Sequence, residues 1–197
     1  MSRAAVNRLD ELVQIVDTAM AEAARKSGSW LACRPGCYQC CIGPFPITQL
    51  DALRLRQGLA ELKSRDPTRA ALLLERAVAS VERLRRDFPD DPLGSVLATE
   101  NVAEDEPCPA LDRNTDTCDL YAARPITCRT FGPAVRFGEN SLATCELCYT
   151  GATDEEISAC EVEVDPDDLE SQLLEELAES KGVSGETIVA FALTEAS

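Results

Sequence analysis

The residues of this chain that could do chemistry are its cysteines, and four of them lie in one short stretch. It reads Cys33-Arg-Pro-Gly-Cys37-Tyr-Gln-Cys40-Cys41. Three or four sulfurs within nine residues can reach one metal centre unaided, and the thiolate is the form of cysteine that binds metal. Glycine and proline in the stretch are typical of a loop, which can wrap around a metal. The stretch therefore predicts a thiolate metal site.

Six further cysteines lie in the second half of the chain, and their spacing suits the same chemistry. Ten thiolates are enough for two four-sulfur sites with two left over, or for one polynuclear site. The candidate metal ligands are Cys33, Cys37, Cys40, Cys41, Cys108, Cys118, Cys128, Cys145, Cys148 and Cys160.

The identity of the metal stays open between two classes. All-sulfur ligation suits zinc and iron–sulfur clusters, with other thiophilic metals such as Cu(I) as a further alternative. Structural zinc usually shows paired C-x2-C spacings, which occur here only at Cys37/Cys40 and Cys145/Cys148. Iron–sulfur sites favour several cysteines in one loop and a proline after a ligand, as in Cys108-Pro109. The spacing favours an iron–sulfur cluster, with Zn²⁺ as the alternative cofactor.

The absence of histidine and the N-terminal sequence narrow the class of protein. With no histidine, Cys-His zinc fingers, histidine-metal enzymes and Ser-His or Cys-His catalytic pairs are excluded. Charged residues from Arg8 to Asp17 interrupt any apolar signal segment, and no long apolar run suggests a membrane span. We therefore expect a cytoplasmic protein whose cysteines bind metal, with disulfides as the alternative.

The net charge of −16 is concentrated in the second half of the chain. Residues 99–197 carry 5 basic and 23 acidic side chains, against 14 and 12 in residues 1–98. A surface this acidic repels phosphate groups, and nucleic acid and anionic membranes are therefore poor partners. A metal ion or cluster is the expected partner, and a basic protein is permitted.

Helices are predicted on both sides of the cysteine segments. Apolar residues recur at helical spacing over residues 4–26, with Gly28 after them. Thr48 and Asp66-Pro67 are start signals for helices over 49–63 and 67–86. Leu74, Val78, Val81 and Leu84 are the predicted apolar stripe of the latter.

The remaining elements are predicted to be shorter. Residues 89–107 are expected to be loop, and Pro125 to start a helical turn that carries Cys128. A strand is expected over 134–137. Asp165-Pro166 predicts a helix to Lys181 that is closed by Gly182, and Ser184 predicts a helix over 185–194.

These elements predict a mainly α fold, a small single domain over 1–197. About five helices would cover a loop-rich metal core at 30–160, with a helical insert at 48–87 and C-terminal helices at 165–195. Such an arrangement couples folding to metal binding.

Two segments together resemble the CxxCxxCC cysteine-cluster family, described as a zinc- or iron-chelating domain. One is Cys33-x3-Cys37-x2-Cys40-Cys41. The other runs from Cys108-Pro-Ala-Leu through Cys118-Asp-Leu-Tyr-Ala-Ala-Arg-Pro-Ile-Thr-Cys128-Arg-Thr-Phe131, so that the resemblance spans about 30–135. The first spacing here is three residues where the family name has two. Within these segments, Tyr121 and Phe131 are expected to pack around the metal. Arg124 and Arg129 are expected to bind backbone carbonyls or to offset thiolate charge, with surface salt bridges as the alternative.

The resemblance implies metal binding without fixing a reaction. One branch resembling this domain includes flagellin lysine N-methylases, but no G-x-G-x-x-G stretch for a methyl donor occurs here. The first three cysteines also match the motif of radical S-adenosylmethionine enzymes. In those enzymes the motif follows a strand of a partial barrel, whereas here it follows a predicted helix. The open functions are a non-catalytic metal-binding module, a protein-modifying methyltransferase-like or redox enzyme, and a redox or metal sensor.

Overall fold

The three longest helices form where the sequence has helical apolar spacing and clear start signals. A computed structural model describes residues 3–98, 103–141 and 144–194. In it α1 spans Arg3–Ser27, α2 spans Gln49–Arg65 and α3 spans Pro67–Asp87. These bounds agree with the predicted ranges to within two residues.

Side-chain caps explain where α2 and α3 begin. The Thr48 hydroxyl accepts a hydrogen bond from the backbone N–H of Asp51, and the Asp66 carboxylate accepts one from the N–H of Arg69 at 3.0 Å. Both bonds satisfy N–H groups that have no partner inside the helix. Asp66 alone separates α2 from α3, so the two helices form a hairpin.

Short elements occupy the rest of the described chain. They are α4 (Pro92–Ala98), α5 (Ile126–Thr130), α6 (Asp154–Cys160), α7 (Leu169–Lys181) and α8 (Val189–Thr194), and the strands β1 (Ile47–Thr48), β2 (Leu111–Asp112), β3 (Thr117–Cys118), β4 (Val135–Phe137), β5 (Asn140–Ser141), β6 (Val162–Glu163) and β7 (Glu186–Thr187). Helices make up 58% of the structure, which confirms the mainly α fold class. Among the described residues, no helix combines the length and apolarity needed to cross a bilayer.

The chain divides into two compact units. Unit 1 comprises Met1–Arg34 and Ile126–Ser184, and unit 2 comprises Pro35–Pro125 and Gly185–Ser197. The single domain over 1–197 stays a prediction.

In unit 2, the α2–α3 hairpin packs against α8 around an apolar core. This core includes Leu55, Leu73 and Ala192, each at most 1% exposed. Strand β1 pairs with β7 in antiparallel fashion, with Ile47 opposite Thr187. The pairing fixes the chain just before α2 beside the chain just before α8.

In unit 1, α1 packs against α5, α6 and α7. A three-stranded sheet in the order β5-β4-β6 lies in the same unit, with β4 parallel to β6. Val135, Val164 and Ala23 form one apolar cluster there. Arg129 of α5 donates to both carboxylate oxygens of Asp17 of α1, at 2.7 and 2.8 Å.

The predicted boundaries were wrong in three places, each with a local cause. The segment 89–107, predicted as loop, contains α4, where Asp91-Pro92 is a further Asp-Pro start and Asp91 accepts from the N–H of Gly94. Helix α7 begins at Leu169 rather than at Pro166, although the Asp165 carboxylate does accept from the N–H of Leu169. The last helix begins at Val189 because Glu186–Thr187 forms β7 instead.

The predicted apolar stripe of α3 was partly wrong. Val78 is 47% exposed, and Leu74 is only half-buried. The buried face instead runs through Ala70, Leu73 and Ala77 to Val81 and Leu84. Small alanines on this face let α3 approach its neighbours closely, and a pattern search for large apolar residues overlooks them. In α7, Leu169, Leu173 and Leu177 are buried, and in α8 the apolar residues 189–193 are buried.

Candidate metal centre

The ten cysteines fall into two sets of five, one in each unit. All ten lie within the described residues, and no disulfide joins any two of them. Unit 1 holds Cys33, Cys128, Cys145, Cys148 and Cys160, and unit 2 holds Cys37, Cys40, Cys41, Cys108 and Cys118.

In unit 2, backbone pairing brings the first cysteine loop beside Cys108. The N–H of Cys108 donates to the carbonyl of Cys41 at 2.7 Å, and the N–H of Gly43 donates to the carbonyl of Glu106 at 2.9 Å. Between these bonds, Ile42 and Pro107 form an antiparallel bridge. The adjacent Cys40-Cys41 pair therefore lies next to Cys108, although a helical hairpin separates them in sequence.

A small hairpin ties Cys118 to the same place. Strands β2 and β3 pair with Leu111 opposite Cys118. The N–H of Leu111 donates to the carbonyl of Cys108 at 3.0 Å. One further bond, from the N–H of Asp119 to the carbonyl of Ala110 at 2.8 Å, extends the hairpin.

Burial and neighbouring thiols raise the pKa values of three of these cysteines. A hydrogen bond with the Cys41 thiol, together with burial, raises the pKa of Cys40 far above its ordinary value. Burial raises the pKa of Cys108 to about 12, and the nearby Cys118 and Cys40 add to it. Burial also raises the pKa of Cys118. Such thiols are protonated at neutral pH unless a bound cation displaces the protons.

One positive charge, that of Arg124, opposes the increase in the pKa values of these thiols. The Arg124 guanidinium lowers the pKa of both Cys40 and Cys118, as expected of a group that offsets thiolate charge. It also stacks on the ring of Tyr121 at 3.9 Å. That ring is 65% exposed and Phe131 is 44% exposed, so neither side chain is part of the buried core, and their packing around a metal stays a prediction.

Helix α3 holds the second cysteine segment of unit 2 in place. The side chain of Asp119 is 1% exposed and forms ion pairs with Arg69 and Arg76. Arg76 also donates to the carbonyl of Pro109 at 2.9 Å. These contacts fix the residues directly after Cys108 and Cys118, which is how groups around a metal orient its ligands.

Arg83 is a third arginine of α3, and we call Arg69, Arg76 and Arg83 together the arginine row. Arg83 binds both oxygens of Glu106, at 2.7 and 2.9 Å. Burial opposes ionisation of Glu106, but hydrogen bonds from Arg83 and Ser80 outweigh it, so the pKa of Glu106 lies below its ordinary value. This ion pair anchors the segment that carries Cys108.

Sequence reasoning missed this arginine row, although a signal was present. Arg69, Arg76 and Arg83 are spaced by seven, which places them on one face of a helix. The groups that accept their hydrogen bonds, on Glu106, Pro109 and Asp119, lie in a later segment of the chain. The spacing of the arginines does not identify that segment.

A cleft lies beside Cys108 in unit 2. Its walls are largely apolar. Ser80 and Glu106 are its polar side chains, and Phe45 and Ile188 contribute apolar walls. The space inside it that a water-sized molecule can occupy is only about 20 Å³, which is room for about one water and far less than a small-molecule site needs.

The thiols of unit 1 gather around a turn that carries Cys145 and Cys148. The Sγ atoms of Cys33 and Cys148 lie 4.0 Å apart. Cys145, Cys148 and Cys160 are buried in one apolar cluster, against which Trp30 packs. The N–H of Cys148 donates to the carbonyl of Cys145 at 2.8 Å, which closes the turn.

Tyr149 locks this turn to the rest of unit 1. Its hydroxyl accepts from the N–H of Ala134 at 2.9 Å and shares a hydrogen bond with Ser27. Its own N–H donates to the carbonyl of Trp30. Trp30 is thus a partly buried anchor beside these cysteines.

The donor set fits a soft metal, because thiolates are the ligands that zinc and iron–sulfur clusters prefer. The backbone of each unit also brings several of its cysteines together. Over the residues that the structure describes, however, no three cysteine, aspartate or glutamate side chains already stand at metal-binding separation. What fits is therefore the chemistry of the donors and the proximity of the segments that carry them.

Comparison with known families agrees with this chemistry. Residues 32–161 match the family model CxxCxxCC, whose description reads "Putative zinc- or iron-chelating domain". The chain belongs to this family. No curated protein and no solved structure matches it.

The match to the CxxCxxCC family extends further than the sequence motifs. The motifs end near residue 135, whereas the matched range runs to residue 161. It therefore includes Cys145, Cys148 and Cys160, for which spacing alone had argued. Family membership supports metal binding by cysteines, in either unit.

Proposed function

We propose that this protein binds an iron–sulfur cluster through thiolates of unit 2. The proposed ligands are Cys40, Cys41, Cys108 and Cys118. The backbone pairing of residues 41–43 with residues 106–108 carries the proposal, because it puts the adjacent Cys40-Cys41 pair against Cys108. Cys37, three residues before Cys40, is the fifth thiol of this unit.

Two features favour a cluster over a single zinc ion in unit 2. Several cysteines come from one loop, and proline follows Cys108, both of which are common in iron–sulfur proteins. When bound, such a cluster supplies one-electron redox chemistry or a structural cross-link. Arg124 would offset the charge of its thiolates. Zinc is the alternative, favoured by the Cys37-x2-Cys40 spacing.

Purification without oxygen and elemental analysis test the proposal. We expect a brown protein that contains iron and acid-labile sulfide, and a Cys108→Ser or Cys118→Ser variant that has lost most of both. Thr117→Ser, a conservative change at an exposed position next to Cys118, is the matched control and should keep the wild-type content. A colourless wild-type protein with stoichiometric zinc would contradict the cluster assignment.

The alternative function is an enzyme that acts next to the metal. A methyltransferase-like activity predicts that S-adenosylmethionine binds to the metal-loaded protein. Isothermal titration would detect that binding, and an absence of heat with the wild-type protein would exclude this candidate.

Thiolate ligation also indicates where such a protein would work. Thiols stay reduced in the cytoplasm, which we propose as its location. The acidic second half of the chain suits a basic protein partner and repels nucleic acid and anionic membranes. A redox or metal sensor that docks such a partner is compatible with this surface.

A further inference from the structure

We propose that Cys33 and Cys148 form a thiol–disulfide exchange site in unit 1, whose substrates are low-molecular-weight disulfides of the glutathione class. Cys33 is the attacking thiol, and Cys148 is the thiol that resolves the resulting mixed disulfide. The inference does not rest on the cluster proposed for unit 2, because no cysteine of unit 2 takes part in it.

The two thiols lie in contact without being joined. Their Sγ atoms are 4.0 Å apart, and no disulfide links them. A disulfide needs sulfurs about 2.05 Å apart, so a gap of about 2 Å remains to be closed. Residues 31–34, which carry Cys33, have no regular secondary structure. New side-chain torsions at Cys33 and a small shift of this segment are therefore what the bond requires.

Backbone hydrogen bonds hold the two segments side by side. The N–H of Tyr149 donates to the carbonyl of Trp30 at 2.9 Å, so the residue directly after Cys148 is bound to the segment that leads to Cys33. The N–H of Cys148 donates to the carbonyl of Cys145 at 2.8 Å and keeps its turn tight. The backbone of unit 1 therefore brings the two thiols together before any bond forms between them.

Gly132 leaves space for the Cys33 thiol. A Cβ atom at this position would lie 2.7 Å from the Sγ of Cys33, and its φ of +119° strains any other residue. The carbonyl of Gly132 also accepts from the N–H of Cys145 at 3.3 Å, in the turn that carries Cys148. One glycine thus adjoins both sides of the proposed site.

The difference in exposure assigns the two roles. All ten cysteines lie within the described residues, and Cys33 is the exposed one among them. Cys148 is buried, at 5% exposure. A dissolved disulfide therefore reaches Cys33 and does not reach Cys148. An accessible thiol beside a second, resolving thiol is the arrangement typical of redox-active cysteines.

The reaction consists of two exchanges, each an attack of a thiolate on a disulfide sulfur. The Cys33 thiolate attacks one sulfur of oxidised glutathione, the S–S bond of that molecule breaks, and one glutathione thiolate leaves. The Cys148 thiolate then attacks the Cys33 sulfur of the mixed disulfide and releases the second glutathione thiolate. The protein gains one disulfide, one oxidised glutathione becomes two reduced ones, and the two thiol protons pass through water to them.

Treatment of anaerobically purified, metal-loaded protein with oxidised glutathione is the test. We expect one disulfide between Cys33 and Cys148, detected by mass spectrometry after alkylation, with the metal content unchanged. Cys148→Ser should stop at a glutathionyl adduct on Cys33, and Cys33→Ser should form neither product. Cys160→Ser is the matched control. This cysteine is buried in the same cluster, but its thiol donates to the carbonyl of Lys26, so the variant should form the disulfide as the wild type does.

Trp30 reports the rate of the reaction. It is the single tryptophan of the chain, and it packs against the cluster that contains Cys148. A disulfide formed there should quench its fluorescence at the same rate in the wild type and in Cys160→Ser, and about tenfold or more slowly in Cys33→Ser. Circular dichroism of each variant must show the wild-type helix content. If Cys148→Ser fails this check, Cys148→Ala, which puts no hydroxyl into the apolar cluster, replaces it.

Three results would overturn the proposal. A disulfide from Cys33 to any cysteine other than Cys148 would refute the pairing. A glutathionyl adduct on Cys148 in the Cys33→Ser variant would refute the roles. A disulfide that forms only in protein stripped of metal would refute the exchange site, because the two thiols would then be emptied metal ligands. The iron content of unit 2, on which the proposed function is judged, is a separate measurement that none of these results decides.

Discussion

Asp119 offers the sharpest test of how α3 supports the metal-binding segment. Its side chain is 1% exposed and pairs with Arg69 and Arg76. Removing one partner of a buried ion pair costs about 3–5 kcal/mol. The two guanidinium side chains are 42% and 32% exposed, so water can solvate them once the carboxylate is gone, and we expect the lower end of this range.

The Asp119→Ala variant should therefore unfold with a free energy about 3 kcal/mol below that of the wild type. For a chain of this length, each kcal/mol lowers the melting temperature by about 2–4 °C, so the melting temperature should fall by roughly 6–12 °C. Asp119→Asn keeps a hydrogen-bond acceptor, so its free energy of unfolding should fall by about half as much as that of Asp119→Ala. Thermal unfolding followed by circular dichroism, with the metal load matched, measures both.

A surface ion pair on the same helix is the control. Arg86 and Asp87 lie 3.4 Å apart with side chains 69% and 58% exposed, so Asp87→Ala should change the free energy by less than about 0.5 kcal/mol. Asp119→Ala should also weaken metal binding by about 10- to 100-fold, as expected for groups that orient ligands. Equal effects of the two variants would refute the buried-pair reasoning, and unchanged metal affinity would refute the positioning of Cys118.

Three other changes test the remaining contacts. Gly132→Ala should destabilise unit 1 by about 1–3 kcal/mol because its Cβ would meet the Cys33 thiol, and Gly138→Ala, also at positive φ but with open space around it, should cost less; denaturant unfolding compares them. Tyr149→Phe leaves the buried N–H of Ala134 unpaired and should cost about 1–3 kcal/mol in the same assay, whereas exposed Tyr121→Phe should be neutral. Removing metal with a chelator should broaden the thermal transition seen by near-ultraviolet circular dichroism, and an unchanged cooperative melt would contradict coupled folding and binding.

The helices were predictable because their signals are local. Thr48 and Asp66 cap helices through bonds to residues three positions on, so the relevant partners stand side by side in the sequence. Asp91-Pro92 is an equally local start signal, but the helix that it begins, α4, is short, and this segment was predicted as a loop. The start of α7 was misjudged because Asp165 caps it from four residues away rather than from the adjacent position.

The strands of unit 2 and the grouping of its cysteines could not be predicted in the same way. Strands of two residues, such as β2 and β3, are too short to show alternating hydrophobicity. Their positions depend on partners elsewhere in the chain. The same holds for Cys108, whose backbone partner Cys41 belongs to a loop on the other side of the helical hairpin. Cysteine spacing predicted metal binding, which family membership supports, but it carried no information on which thiols meet.

The arginine row on α3 shows how the helical insert positions the cysteine segment that follows it. A hairpin of two helices of similar length returns the chain close to where it left, which lets the segment after α3 pair with the segment before α2. Arg83 then fixes that returning segment through Glu106, two residues before Cys108, and Arg76 fixes it again through the carbonyl of Pro109. Arg76 and Arg83 lie seven residues apart on one face of α3, so the helix sets the distance between the two groups that they bind, the carbonyl of Pro109 and the carboxylate of Glu106. Cys108 lies between these two residues in the chain. The insert in this chain therefore fixes the position of Cys108 relative to Cys41, so a change in the length of α3 between these arginines should disturb unit 2 more than a change of equal size beyond Arg83.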